Sequence, residues 1–352
     1  STAVRNLPGQ TTPFIGRQRE LDDLLRLLRD KSGGRLVTIV GPGGIGKSRL
    51  SLKVAAALVE DFLDGVFFVS LAPLTDPQHI VTKICDSIGF RNPGGGELRE
   101  ALFEYLQQKQ LLLVMDNFEH LLAGTELVTD LLRHAPGAKI LTSSRETLNL
   151  TGEAVYMLSG MDYPADPGLT GEEVAQFGAA QLLLDRARLA QPALQVGELE
   201  WSQVNRICRQ VQGMPLALVL AAGWLELLTF EEVADEIAGS LDILESQVRD
   251  MPPRQRSVKA TFEYSWQRFA AGDRQVFSRL SVFRGGFTRE AASDVVGATI
   301  PRLVSLLDRS LIRLPPGGRF EQHPLIAQYV GEKLREHAEL WESSRARHAA
   351  YF

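Results

Sequence analysis

The sequence predicts a parallel α/β sheet domain, followed by an all-α helical domain and a winged-helix domain. Three observations predict it. Five short apolar runs alternate with helical patterns in the first 160 residues, a glycine-rich loop joins the first run to a helix, and beyond residue 160 the periodicity is helical until one late hairpin.

The runs RLVTIV (35–40), GVFFVSL (65–71), QLLLVM (110–115), AKILTSS (138–144) and EAVYML (153–158) are continuous rather than alternating. Strands covered on both faces read that way, and their alternation with helices makes the sheet parallel. Among the intervening helices, Leu98, Ala101, Leu102, Tyr105 and Leu106 share one face, which should be the packed one. The Pro/Asp/Gly linker MDYPADPG (161–168) closes this first domain, assigned to 1–160. Helical patterns then occupy 177–244, giving a helical domain over 161–252 that ends at the Pro252–Pro253 break. Helices at 260–269, 272–282, 289–296 and 300–308 precede LIRL, a PPGG turn and RFEQH, and a last helix starts at Pro324. Helices followed by a two-stranded wing suggest a winged helix over 253–340, with SWQRF, RLSVF and GGF supplying core aromatics.

A net charge of −5 lacks the basic signature of a nucleic-acid-binding chain. Cys85 and Cys208 have neither metal nor redox spacing, so a reducing, cytoplasmic setting is expected. The longest uncharged apolar stretch, MPLALVLAAGWL (214–225), falls well short of the roughly 20 residues of a membrane span. The chain starts at Ser1 and ends in the helical pattern RARHAAYF. An excised part of a longer protein is therefore expected, with 341–352 opening a truncated C-terminal sensor or repeat segment.

Gly41, Gly46, Lys47 and Ser48 satisfy G-x-x-x-x-G-K-[ST] between a strand and a helix, the phosphate loop of the P-loop NTPases. Glycines let successive N–H groups turn inward on phosphate oxygens, and the helix N-terminus adds partial positive charge. The candidate phosphate set is Gly43, Gly44, Ile45, Gly46, Lys47, Ser48 and Arg49. Lys47 would reach the β- and γ-phosphates, while Ser48 and Asp116, at the end of an apolar run, would hold Mg²⁺. Many such sites place a second acid next to that aspartate to polarise water; here Asn117 follows it, and Glu119, the acid that could substitute, lies three residues on, past the strand end. Slow hydrolysis is expected, a weak ATPase used as a switch. Arg145 sits at a strand's C-terminal end, where it would touch a γ-phosphate. A surface arginine paired with Glu146 or another acid is the local alternative.

With these motifs in order, the chain resembles the signal-transduction ATPases with numerous domains. That family includes plant immune receptors, apoptosome scaffolds and bacterial regulators related to the maltose activator. PFIGRQREL (13–21) resembles the entry motif in which Phe14, Ile15 and Arg17 frame adenine. GPGGIGKS, LLLVMDN and ILTSSRE resemble the phosphate loop, magnesium strand and γ-phosphate arginine strand. GMPLAL (213–218) resembles the motif whose proline, Pro215, packs on adenine, and QHPLIAQYV (322–330) the one whose histidine, His323, touches the ADP β-phosphate. Pro324 replaces the acid expected after that histidine in the immune receptors. Read alone, Pro215 is a helix-start proline and His323 a helix-start residue.

The resemblance implies an ATP/ADP switch, with a charged histidine–phosphate contact helping to close it around ADP. ATP would open it to self-associate, with effector and sensor domains lying outside this chain. Two other readings stand beside it. A conventional P-loop enzyme would need a substrate pocket with its own acid/base pair. A DNA-binding regulator acting through the winged helix would rely on IPRLVSLLDRSLI, which offers only Arg302, Arg309 and Arg313 beside Asp308, thin for phosphate contact.

Overall fold

The structure is a computed structural model that describes residues 6–30, 34–92, 96–246 and 256–352. The chain divides into two compact units, Ser1–Gly41 with Gly46–Leu158, and Pro42–Ile45 with Ser159–Phe352.

The first unit is built from α1 (Gln18–Arg29), β1 (Leu36–Val40), α2 (Lys47–Ala57), β2 (Gly65–Ser70), α3 (Ile80–Ile88), α4 (Leu98–Leu106), β3 (Leu111–Asp116), α5 (Thr125–His134), β4 (Lys139–Ser144) and β5 (Glu153–Met157). All five apolar runs are strands, and the sheet is parallel throughout, in the order β2-β3-β4-β1-β5. Each residue of β1 and β3 is buried, which explains why those runs do not alternate. The main core lies under α3–α5 and includes Leu113, Met115, Phe118, Ile84, Leu102 and Leu131. Because the strands are parallel, the turns after β1, β4 and β3 emerge side by side at one sheet edge. Ligands of such sheets collect there.

One helix face differs from its sequence reading. Leu102 and Leu106 are buried, but Tyr105 is 39% exposed and lays its ring against Phe90 at 4.7 Å. The face is narrower than the five residues suggested.

The second unit contains α6 (Gly171–Val174), α7 (Gly178–Ala190), α8 (Glu198–Gln210), α9 (Pro215–Trp224), α10 (Phe230–Gly239), α11 (Val258–Trp266), α12 (Ala271–Arg279), α13 (Arg289–Ala291), α14 (Ile300–Asp308), β6 (Ile312–Arg313), β7 (Glu321–Gln322), α15 (Pro324–Arg335) and α16 (Ala338–Tyr351). Capping boxes at Thr170/Glu173 and Thr229/Glu232 start α6 and α10. The apolar α9 packs on α7, and α10 on α8. Pro252–Pro253 lies outside the described residues. Beyond it, Phe262, Trp266 and Phe277 cluster on the fully buried Tyr329, and Phe283, Phe287 and Phe320 pack ring to ring. β6 and β7 pair antiparallel as a two-stranded hairpin leading into α15. Among the described residues no helix is long and apolar enough to cross a membrane.

Candidate functional site

The turn after β1 carries the phosphate-loop sequence. Gly44 and Gly46 adopt φ of +80° and +95°, a region that favours glycine, and Gly46 caps α2. Gly41 N–H donates to Ser144 O at 3.3 Å, tying the loop's start to β4. Lys47 is 7% exposed, with Nζ donating to Gly41 O at 2.7 Å. An anion bound at this loop would meet that buried ammonium.

Asp116 ends β3 and is also buried. Ser143, on the neighbouring β4, donates its hydroxyl to Asp116 Oδ1 and accepts the Asn117 N–H at 3.0 Å. Burial pushes the Asp116 carboxyl above its usual range, while hydrogen bonds from Ser143 and Ser48 pull the other way. Ser48 and Asp116 therefore already meet, as two ligands of one hard cation would.

Glu119 departs most from the sequence reading. Asn117 takes a left-handed turn at φ 66°, and a single 3₁₀ turn over Phe118–His120 brings the chain back to the strand end. Glu119, although past the strand end, is thereby only 5% exposed. Its Oε1 pairs with Arg145 Nε at 3.3 Å and accepts from Asn117 Nδ2 at 3.4 Å. Burial alone would raise its carboxyl, but the charges of Lys47 and Arg145 prevail and hold it below the usual range. Arg145 follows β4 and pairs with Glu119 rather than with its neighbour Glu146. Two adjacent buried carboxylates are thus driven in opposite directions, the pattern that separates an acid or metal ligand from a base.

The entry segment lies in the same unit. Arg17, 5% exposed and at φ 61°, pairs with Glu20 at 3.2 Å as α1 begins. Arg49 donates to Thr12 Oγ1, Thr12 O and Pro13 O, each at 2.9 Å, so it fastens α2 to the residues before Phe14 and Ile15. Lys53 Nζ sits 5.9 Å over the Phe14 ring.

Gly43, Gly44 and Ile45 belong to the second unit together with Pro215 and His323. Pro215 is the first residue of α9, and Leu216 N–H donates to Gly44 O at 3.1 Å. His323 caps α15, its Nδ1 accepting the Leu325 N–H at 3.3 Å. That bond leaves the proton on Nε2, a buried donor whose acceptor at hand is the Val211 carbonyl. Burial, then the Arg313 charge, pushes this imidazole down to about 4 against a weaker pull from the Val211 carbonyl. Burial therefore favours the neutral ring near pH 7.

The residues of the first unit fit a nucleoside triphosphate with Mg²⁺. A folded-back lysine and a helix N-terminus await phosphate, a hydroxyl and a carboxylate meet where a cation would sit, and an arginine stands at the adjacent strand end. Sequence reasoning missed Ser143. Its only signal was the polar T-S-S ending of an otherwise apolar strand, and its meaning needs the β3–β4 register, in which Met115 faces Thr142.

Residues 29–153 match the AAA domain family. The chain is 31% identical over 341 residues to the uncharacterized protein Rv0894 of Mycobacterium tuberculosis, covering 93% of this chain and 83% of that one. It is 30% identical over 329 residues to Rv0890c of the same organism, named as an HTH-type transcriptional regulator, covering 90% of this chain. The chain spans only about a third of the length of that regulator (36%). Among solved structures, the Aeropyrum pernix ORC2 protein, determined as ADPNP-ADP complexes, superposes with a TM-score of 0.51 at 15% identity. That match covers 95% of this chain and 94% of that one, a likeness of fold alone.

Proposed function

This chain belongs to the same family as the mycobacterial protein Rv0894, and on that footing we propose that it is the nucleotide-binding switch core of a signalling or transcription-regulating ATPase. It binds ATP or ADP with Mg²⁺, hydrolyses slowly, closes on ADP and self-associates with ATP. The observation that carries this reading is the convergence of Lys47, Ser48, Asp116 and Arg145 at one sheet edge.

Finer features follow the resemblance to the signal-transduction ATPases with numerous domains. The second unit is read as a helical domain carrying Pro215 and a winged helix carrying His323, formed by α11–α15 with β6 and β7. His323 would serve the ADP β-phosphate as a neutral N–H donor through Nε2. Effector and sensor functions would belong to other parts of longer proteins.

A DNA-binding role draws support from the name of Rv0890c, an HTH-type transcriptional regulator. The arginines that such a role needs are engaged elsewhere. Arg302 pairs with Asp273 at 3.3 Å, Arg313 with Glu321 at 2.8 Å, and Arg309 stacks over Phe269 at 4.6 Å. We therefore favour the switch over DNA binding through α14.

Calorimetry on Lys47→Ala tests the assignment. The parent should bind ADP and Mg-ATP, and the variant should lose both by at least about 100-fold, the scale of a lost buried charge–phosphate contact. Retained affinity in the variant would reject the loop as the site.

A further inference from the structure

Among the described residues, Glu119 is the buried carboxylate beside Asp116 whose chemistry the switch reading leaves unused. Oε1 meets Arg145 and Asn117, while the buried Oε2 has no hydrogen-bond partner among the described residues. An ion pair serving stability alone would not leave a charged oxygen unsatisfied, and each such atom in a folded protein calls for a reason. Its neighbours supply one. Glu119 lies within the influence of both Lys47 and Arg145, the two cations assigned to the end of the triphosphate. The left-handed turn at Asn117 is what places it there. Three positions along the sequence become, through that turn and the 3₁₀ turn after it, a second acid beside Asp116.

We infer that Glu119 is the carboxylate that orients and deprotonates the attacking water when a nucleoside triphosphate is cleaved here, and that Arg145 restrains it until a γ-phosphate draws the arginine away. This rests on the nucleotide-binding reading above. In the step, the water oxygen bonds to the γ-phosphorus, and the bond from that phosphorus to the β–γ bridging oxygen breaks. The electron pair leaves on the diphosphate, and the proton lost by water passes to Glu119 and then to solvent. The pairing makes hydrolysis conditional. With Arg145 on Glu119, the base is turned toward a cation; with Arg145 on phosphate, both oxygens are released to water.

The substitution Glu119→Gln keeps shape and packing while removing the charge, and two measurements on the whole chain read it. Calorimetry with a non-hydrolysable ATP analogue and with ADP should show analogue affinity rising several-fold as Arg145 is freed, with ADP affinity unchanged. In a single-turnover incubation, the parent should convert bound ATP to ADP over hours, and the variant should retain ATP, slowed by about 10²–10⁴-fold as for loss of a general base. Glu119→Asp should recover part of the conversion. A merely structural Glu119 would lower both affinities together, and that result overturns the inference. So does a variant that converts ATP as fast as the parent, or a parent that binds ATP and never converts it. A parent that binds neither nucleotide removes the proposed function itself, and the inference with it.

Discussion

Ser143 shows how one hydroxyl can organise a site. It donates to Asp116 and accepts from Asn117 N–H, so it fixes both the Asp116 carboxylate and the turn that carries Glu119. Ser143→Ala takes this acceptor from the part-buried Asn117 N–H and leaves the buried Asp116 with one donor fewer. It should cost about 1–3 kcal/mol in stability, on the scale of an unsatisfied buried group. It should also weaken Mg-ATP more than metal-free ATP. Urea unfolding and calorimetry with and without Mg²⁺ check the two effects separately. At this scale Lys47 and Ser48 stand out as candidates because the phosphate-loop motif fixes their spacing, and Asp116 because it ends an apolar run. Ser143 does not, because its role exists only across a strand pair. Glu119 does lie past the strand end, but its spacing does not reveal the left-handed turn at Asn117 that brings it back beside Arg145.

Elements were easier to read than their arrangement. The five strands announced themselves because burial on both faces demands continuous apolar side chains, but nothing in those runs encodes the order β2-β3-β4-β1-β5. Helix ends were marked by local chemistry, as with Thr229 and Glu232; the exposure of Tyr105 depended on its neighbour Phe90 instead. The phosphate loop adds a constraint that its motif does not state. Gly44 is at φ +80°, and a Cβ there would stand 2.9 Å from Leu216 Cβ. The motif tolerates any residue at that position, whereas this structure requires glycine. Gly44→Ala should therefore destabilise by roughly 1–2 kcal/mol from backbone conformation and crowding together, and should lower ADP affinity because loop N–H groups are displaced. Thermal unfolding and calorimetry read the two effects. A variant that melts and binds like the parent would show that the loop relaxes freely.

For the molecule as a whole, His323 couples the fold to pH with a definite sign. The folded ring has its pKa lowered to about 4, chiefly by burial, whereas an imidazole in the unfolded chain titrates near 6.5. Above that value both states hold the ring neutral and the difference vanishes. Between about 6.5 and 4 the unfolded chain takes up a proton that the folded chain refuses. Stability is therefore lost as pH falls through this window, by at most about 3 kcal/mol from this one group. His323→Asn retains a helix-capping side chain and removes the titration. Between pH 7 and 5 the parent should lose more stability in denaturant unfolding than the variant does. The same neutrality bears on the switch: a neutral N–H donor needs no proton from solvent, so ADP affinity should stay nearly level from pH 8 to 6. An affinity that climbs steeply toward pH 6, and stops climbing in His323→Asn, would mean that phosphate draws a proton onto the ring and that the charged contact exists after all.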